Sequence, residues 1–94
     1  MKVTMQGIFD KIQSTTYTLL PNGQTTLCQL IMENGFSIEG KSSCVDPTEY
    51  NQFLGEKYAY EDALKNVWPF EGYLLAEEMF RDKQLLDEYG ISFE

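Results

Sequence analysis

Two Asn-Gly pairs place the strongest constraint on what this 94-residue chain can fold into. Asn22-Gly23 and Asn34-Gly35 lie twelve residues apart, and the segments around them are rich in threonine or alternate between apolar and polar residues. Asn and Gly best tolerate the positive φ that both central positions of a type I′ turn require, so each pair predicts a β-hairpin. We therefore predict three antiparallel strands, at about residues 14–20, 25–33 and 36–41.

The middle predicted strand has one face that is consistently apolar. Because successive side chains of a strand point to opposite faces, the buried face is predicted to carry Thr26, Cys28, Leu30 and Met32. Phe36 and Ile38 are expected to join that face from the next strand. The residues before position 14 fit either a further strand or a short helix, and the sequence leaves both open.

The second half of the chain has a different composition. Residues 1–45 carry three lysines and three acidic residues, whereas residues 46–94 carry four basic residues against twelve acidic ones, a net charge of −8. Six of the seven threonines precede residue 46, and all three alanines follow it. Since threonine favours sheets and alanine favours helices, we predict one α+β domain over residues 1–94, with a sheet half (1–45) and an acidic helical half (46–94).

A helix is predicted to begin at Asp46-Pro47-Thr48-Glu49. Asp46 can cap free backbone N–H groups, Pro47 suits the first helical position, and Glu49 completes a capping box. The helix should extend to about Trp68, with an apolar stripe at three- and four-residue steps formed by Tyr50, Phe53, Leu54, Tyr60, Leu64, Val67 and Trp68.

Pro69 is expected either to kink this helix or to begin a second one, because proline removes a helical hydrogen bond and clashes with the preceding turn. After Arg81 we expect a last turn or short helix that stops at Gly90, followed by an extended C-terminal piece through Ile91 and Phe93.

Several classes of function are excluded by composition. The chain has no histidine, no glycine-rich phosphate loop and no carboxylate cluster at useful spacing, so we predict a protein that is not an enzyme and that has no metal site and no cofactor. One arginine and a charge of −8 argue against direct binding of nucleic acid. No apolar run is long enough to span a bilayer, and Cys28 and Cys44 are predicted to be free thiols, so we expect a cytoplasmic protein with no membrane contact.

Acidic side chains with interleaved tyrosines predict a protein-binding surface on the helical half. The candidate partner-binding residues are Tyr58, Glu61, Asp62, Tyr73, Glu77 and Glu78. Thirteen aromatic residues are more than a small core needs, so the aromatic residues of this half are also expected to form a homodimer.

A candidate anion-binding site consists of Ser42, Ser43 and Cys44, whose backbone N–H groups precede the predicted helix. Two neighbours, Asp46 and Glu49, oppose an anion there. Cys44 has a second interpretation, a small apolar plug beneath the corner between strand and helix.

One ordered series of residues resembles a known family. It consists of Asn34-Gly35-Phe36-x-Ile38-x-Gly40-x-Ser42-x-Cys44-Val45-Asp46-Pro47, then Tyr50, Gly55, Ala59, Ala63 and Trp68-x-x-Glu71-Gly72-Tyr73. The series is similar to that of small phage accessory proteins named from gene forty-nine of a coliphage and gene sixty-six of a Shigella phage.

The resemblance implies a phage or prophage origin, action in the cytoplasm of a bacterial host and no catalytic residues to carry over. By analogy with other small phage proteins, it suggests a non-catalytic inhibitor of a host defence or host enzyme. Two routes remain open: docking on a host protein, including one that binds nucleic acid, or sequestering a small nucleotide messenger. An interaction protein without an inhibitory role is a third alternative.

Overall fold

The computed structural model describes residues 2–90 and confirms the α+β architecture. The three strands form one antiparallel sheet in the order β1-β2-β3, and a long helix follows. The elements in chain order are α1 (Met5–Lys11), β1 (Ile12–Leu19), β2 (Thr25–Met32), β3 (Ser37–Ser43), a 3₁₀ turn (Pro47–Glu49) and α2 (Gln52–Glu88).

The open question before residue 14 is answered by a short helix. Thr4 caps α1, since its Oγ1 accepts a hydrogen bond from the Gly7 N–H at 3.1 Å. Ile8 is the buried residue of α1. At the end of α1, the Lys11 Nζ lies 2.7 Å from the Glu71 Oε2, so an ion pair joins α1 to α2.

Both Asn-Gly hairpins form, but the predicted type I′ turns are wrong. Only the glycines have positive φ, +69° at Gly23 and +88° at Gly35, whereas neither asparagine does. Each asparagine instead uses its side-chain oxygen to accept backbone N–H groups that follow it, from Gln24 and Thr25 in the first turn and from Phe36 in the second. Each asparagine is thus a hydrogen-bond acceptor, and only glycine takes the left-handed backbone.

The predicted buried face of the middle strand is confirmed. Thr26, Cys28, Leu30 and Met32 are all buried, and Ile38 joins them from β3. The prediction for Phe36 is wrong, because that residue lies in the turn before β3 and remains 51% exposed. Its ring packs edge-to-face on Phe70 of α2, with the ring centroids 5.4 Å apart.

The long helix begins at Gln52 rather than at Asp46. The Asp46 side chain does cap a helical turn by accepting the Thr48 N–H, but that turn is only the 3₁₀ segment Pro47–Glu49. Tyr50 then takes an extended backbone, with φ −58° and ψ 131°. Asn51 is the true N-cap of α2, since its Oδ1 accepts the Leu54 N–H at 3.1 Å.

Pro69 lies inside α2, which continues without a break to Glu88. A second helix after Pro69 is therefore not formed, nor is a separate one after Arg81. Pro69 is exposed, so the carbonyl that loses its helical partner can accept a hydrogen bond from water. Gly90, with φ +72°, follows the last helical residues as predicted. The extended piece predicted at Ile91 and Phe93 lies outside the described residues.

Small residues, rather than the predicted aromatic stripe, bring α2 onto the sheet. Of that stripe only Leu64 and Val67 are buried, whereas Ala59 and Ala63 are 0% exposed. These alanines lie against Gly40 of β3, where an added Cβ would overlap the backbone N of Ala63 and the backbone O of Ala59. The large side chains flank this contact because the two backbones leave no room between them.

The helix α2 is much longer than the sheet that it covers. Its 37 residues span about 55 Å, whereas strands of seven or eight residues span about 26 Å. The molecule accordingly measures 65 Å along its longest axis. Met79, Phe80 and Leu85, near the far end of α2, are each more than half exposed.

Raising the pH from 9 to 11 is expected to destabilise the protein by about 2 kcal/mol. Both cysteines are free, and burial of Cys28 raises the pKa of its thiol from 9.0 to about 11. The unfolded chain therefore loses this proton first, so the stabilisation present below pH 9 disappears as the pH rises towards 11. Urea unfolding at pH 8, 9, 10 and 11 measures the decline.

The matched variants are Cys28→Ala and Cys44→Ala. Burial also raises the pKa values of Tyr17 and Tyr60, and those groups are common to all three proteins. We expect a shallower pH dependence in Cys28→Ala and the wild-type dependence in Cys44→Ala. Equal pH dependence in all three proteins would contradict the assignment to Cys28.

Candidate binding surface

The six predicted partner-binding residues fall into two groups on α2. Tyr58 and Tyr73 are fifteen residues apart, which corresponds to about 22 Å along the helix. Glu61 and Asp62 accompany Tyr58, whereas Glu77 and Glu78 accompany Tyr73. The structure does not bring all six into one patch, so any partner that contacts both groups has to follow the helix.

In the first group, one residue has a role in the fold. The Asp62 Oδ2 accepts the backbone N–H of Lys41 at 2.9 Å, which joins α2 to β3. Tyr58 and Glu61 are exposed, and the Lys57 Nζ lies 5.8 Å from the centre of the Tyr58 ring. Tyr58 and Glu61 are therefore the members of this group that are available to a partner.

The second group is more open. Tyr73 is 68% exposed, and Glu77 lies one helical turn further along the same side of α2. The Glu77 Oε1 lies 3.8 Å from the Arg81 Nε, a long ion pair on the surface that holds neither side chain firmly. Glu78 is exposed and borders a groove between α1 and α2 that Lys2 and Lys11 also line.

Most carboxylates of α2 do not contribute to the fold. Of the nine acidic residues in this helix, Glu71 bonds to Lys11 and Asp62 to β3. Within residues 2–90, the other seven form no hydrogen bond or ion pair with another element: Glu56, Glu61, Glu77, Glu78, Asp82, Asp87 and Glu88. Their charges are thus free to meet a partner.

The three predicted anion-binding residues line one cavity together with Tyr58. The cavity has a volume of about 230 Å³ and lies between the end of β3, the 3₁₀ turn and the start of α2. Tyr50 and Leu54 also line it, and sequence reasoning missed their role. The four-residue spacing of Leu54 and Tyr58 places these two side chains on one side of α2, whereas Tyr50 reaches the cavity from the extended residue before the helix.

Three polar groups of the predicted anion site already have partners in the fold. The Cys44 N–H donates to the Gln24 backbone oxygen at 2.9 Å, and the Cys44 Sγ donates to the Asp46 backbone oxygen at 3.0 Å. The Ser43 Oγ lies 2.6 Å from the Thr25 Oγ1. Cys44 is only partly buried, so it is not the enclosed plug of the second interpretation.

The charge around this cavity is negative. Hydrogen bonds from the Thr48 side chain and then from its backbone lower the pKa of Asp46, which keeps that carboxylate ionised. Glu49 lines the cavity, and none of the described lining residues is a lysine or an arginine. The N-terminus of α2 is already capped by Asn51. The cavity therefore suits a neutral or apolar group better than an anion.

Within residues 2–90, no three His, Cys, Asp or Glu side chains converge in a way that could hold a metal ion. No helix in the same part of the chain is both long enough and apolar enough to cross a membrane.

The comparison with protein families decides where this chain belongs. The phage protein (N4 Gp49/phage Sf6 gene 66) family matches residues 3–79, well over half of the chain. The chain belongs to this family. The match covers α1, the whole sheet and most of α2, so the family pattern spans the fold rather than one site. Comparison with curated proteins and with solved structures gives no match.

The family match extends the resemblance of the sequence in both directions. It ends at Met79, so Tyr58 and Tyr73 lie inside it, whereas Asp82, Asp87 and Glu88 lie beyond it. A binding surface shared by the family would therefore be expected before residue 80, on the part of α2 that carries the tyrosines.

Proposed function

We propose that this phage protein is a non-catalytic inhibitor that binds a basic surface of a host protein through α2, in the cytoplasm of the bacterial host. The observation that carries the proposal is the excess of acidic residues on α2, nine against four basic ones, of which seven bond to no other element of the described chain. A surface of one charge sign accelerates association with a partner of opposite charge and makes binding sensitive to salt.

Exposed aromatic residues support the same surface. Tyr73 is the most exposed tyrosine inside the family match. Tyr58 is half exposed and lines one side of the cavity described above. Tyrosine is enriched at the centre of protein interfaces because it combines a large apolar ring with a hydroxyl group. Carboxylates would then steer the encounter, and the tyrosines would anchor the complex.

The test is a pull-down from bacterial lysate with the wild-type protein and two triple variants. The α2 variant is Glu61→Gln, Glu77→Gln and Glu78→Gln; it keeps Asp62 and Glu71, which hold the fold. We expect the wild type to retain a host protein at low salt and to lose it at about 0.5 M salt, because screening weakens attraction between exposed charges. The α2 variant should lose the partner at low salt.

The control variant is Asp10→Asn, Glu33→Gln and Glu39→Gln, which removes the same charge from exposed positions outside α2. It should retain the partner as the wild type does. Equal loss in both triple variants would mean that net charge alone drives retention, and equal retention in both would remove α2 from the interface. Inhibition of the retained protein's own activity then tests the inhibitory part of the proposal.

A nucleotide messenger is the second candidate, because the 230 Å³ cavity joins Tyr50 and Tyr58 with Ser43. The volume falls below the roughly 300–1,000 Å³ of ordinary ligand pockets, and the acidic lining opposes phosphate. A thermal-shift screen of cyclic and linear nucleotides separates the routes. A rise in melting temperature that Tyr58→Ala abolishes would favour the messenger, whereas no rise favours the protein partner.

A further inference from the structure

The two edges of the sheet are treated differently by the fold. At β3, α2 supplies side chains where a neighbouring strand would lie: the Lys41 N–H donates to Asp62 at 2.9 Å, and the Asn66 amide donates to the Glu39 backbone oxygen at 2.8 Å. These two residues are one helical turn apart and pair with outward-facing groups of β3. The β3 edge is therefore closed to a further strand.

The β1 edge presents its backbone groups outward. The Leu20 N–H donates to the Thr25 backbone oxygen, which fixes the alternation of the antiparallel ladder between β1 and β2. It follows that the N–H and C=O groups of Thr15, Tyr17 and Leu19 point away from β2. In the portion of the chain that the structure describes, no group bonds to them.

The composition of β1 lacks the usual protection of an edge strand. Residues 13–19, Gln-Ser-Thr-Thr-Tyr-Thr-Leu, contain no charge and no proline, and three of the seven are β-branched threonines. Edge strands usually carry lysine, proline or other devices that prevent pairing with another chain. Because this strand is uncharged, a second copy can pair with it without placing charged β1 side chains opposite each other; the charged side chain beside this part of the edge is Glu56 of α2, which borders the groove next to Tyr17.

The side chains beside this edge are only partly covered. Tyr17 is opposite the buried Cys28 in the sheet register, so its ring lies on the face that α2 covers. Since α2 packs over β2 and β3, Tyr17 remains 39% exposed and Leu19 49%. A groove of about 230 Å³ runs beside these two residues and is bordered on the other side by Tyr50, Gln52 and Glu56.

We propose that β1 pairs antiparallel with β1 of a second copy and forms a continuous six-stranded sheet. In the register that uses all outward groups, Tyr17 lies opposite the partner's Tyr17 and Thr15 lies opposite the partner's Leu19, which gives about six hydrogen bonds between the chains. Tyr17 and Leu19 of both copies then cover one another on the helical face.

The closed β3 edge determines the size of the assembly. Each copy has one open sheet edge, at β1. The two-fold pairing uses the β1 edges of both copies, so no open edge remains and the assembly stops at a dimer. The axis lies perpendicular to the sheet, so both α2 helices lie on the same face and both acidic surfaces remain accessible. This interface differs from the one predicted on the aromatic residues of the helical half, and it does not depend on the proposed function.

The test is the solution mass of charge variants, measured by light scattering and sedimentation equilibrium. The wild type should have twice the chain mass of 10.9 kDa. Tyr17→Lys places two lysines opposite each other and should raise the dissociation constant on the order of 100-fold. Tyr17→Glu should have the same effect, whereas an equimolar mixture of the two variants should restore the dimer. Circular dichroism checks that each variant is folded.

The matched control is Tyr73→Lys, which changes an exposed tyrosine of α2 and should leave the dimer intact. Two results would overturn the proposal. One is a mass of 10.9 kDa for the wild type at every concentration up to hundreds of micromolar. The other is a dimer that Tyr73→Lys dissociates and that Tyr17→Lys leaves unchanged, which would place the interface on the helical half instead.

Discussion

Gly40→Ala is expected to lower the free energy of unfolding by about 2–3 kcal/mol or more, although it adds a single methyl group. The new Cβ would overlap backbone atoms of Ala59 and Ala63, and a backbone cannot rotate aside as a side chain can. The helix would have to move away from β3, which also weakens the hydrogen bonds from the Lys41 N–H to Asp62 and from the Asn66 amide to the Glu39 backbone oxygen. Urea unfolding followed by far-ultraviolet circular dichroism measures the loss.

Gly72→Ala is the matched control for this substitution. Gly72 lies in the interior of α2, and an added Cβ there would meet no atom within 4 Å. Alanine should therefore stabilise the helix by about 0.5–1 kcal/mol, because glycine loses more backbone entropy on folding. A destabilisation by Gly72→Ala as large as that by Gly40→Ala would mean that the close contact between helix and strand is not the cause.

Leu30→Ala is expected to destabilise the protein by about 2–5 kcal/mol, because the substitution leaves a cavity in a core that cannot fully collapse. Leu30 is 0% exposed and lies on β2, the middle strand of the sheet. Leu27→Ala, on the opposite face of the same strand, should cost about 1 kcal/mol, since Leu27 is only partly buried. Denaturant midpoints compare the two, and equal losses would contradict the assignment of the buried face.

The sheet could be predicted from the sequence because its signals are local. The glycines of the two hairpin turns are adjacent to the residues that they orient, and the alternation that buries Cys28 and Leu30 needs only a period of two. The exact turn type was missed because Asn22 and Asn34 can serve either as left-handed residues or as side-chain acceptors. The same dipeptide is compatible with both.

The packing of α2 could not be predicted because it depends on contacts between distant residues. In the sequence, Gly40 is simply a glycine within a predicted strand. Only the contact with Ala59 and Ala63 explains why this residue must be small. Asp62 looks like any other exposed carboxylate of a helix, yet its partner lies 21 residues earlier in the chain. The predicted stripe consisted of large apolar residues. The close approach of α2 to β3 instead requires small residues at the contact, and these are alanines.

Only part of the cavity near Cys44 could be predicted, because its shape also depends on contacts between residues that are distant in the sequence. Ser42, Ser43 and Cys44 were expected near a helix N-terminus, and they do lie near one, but Tyr50 separates the 3₁₀ turn from α2 and shifts the cap to Asn51. That shift creates the cavity that Tyr58 shares with them. The sequence does not show that the 3₁₀ turn ends at Glu49 and that α2 begins only at Gln52.

The unequal lengths of α2 and the sheet affect how the molecule moves through a solvent. A compact chain of this length has a radius of gyration of about 12 Å, whereas the Cα radius of gyration here is 18.5 Å. Such a rod-like particle experiences more friction than a sphere of the same mass. A single copy should therefore leave a size-exclusion column early, at the volume of a globular protein of considerably greater mass, and an elution volume by itself would mistake one copy for two.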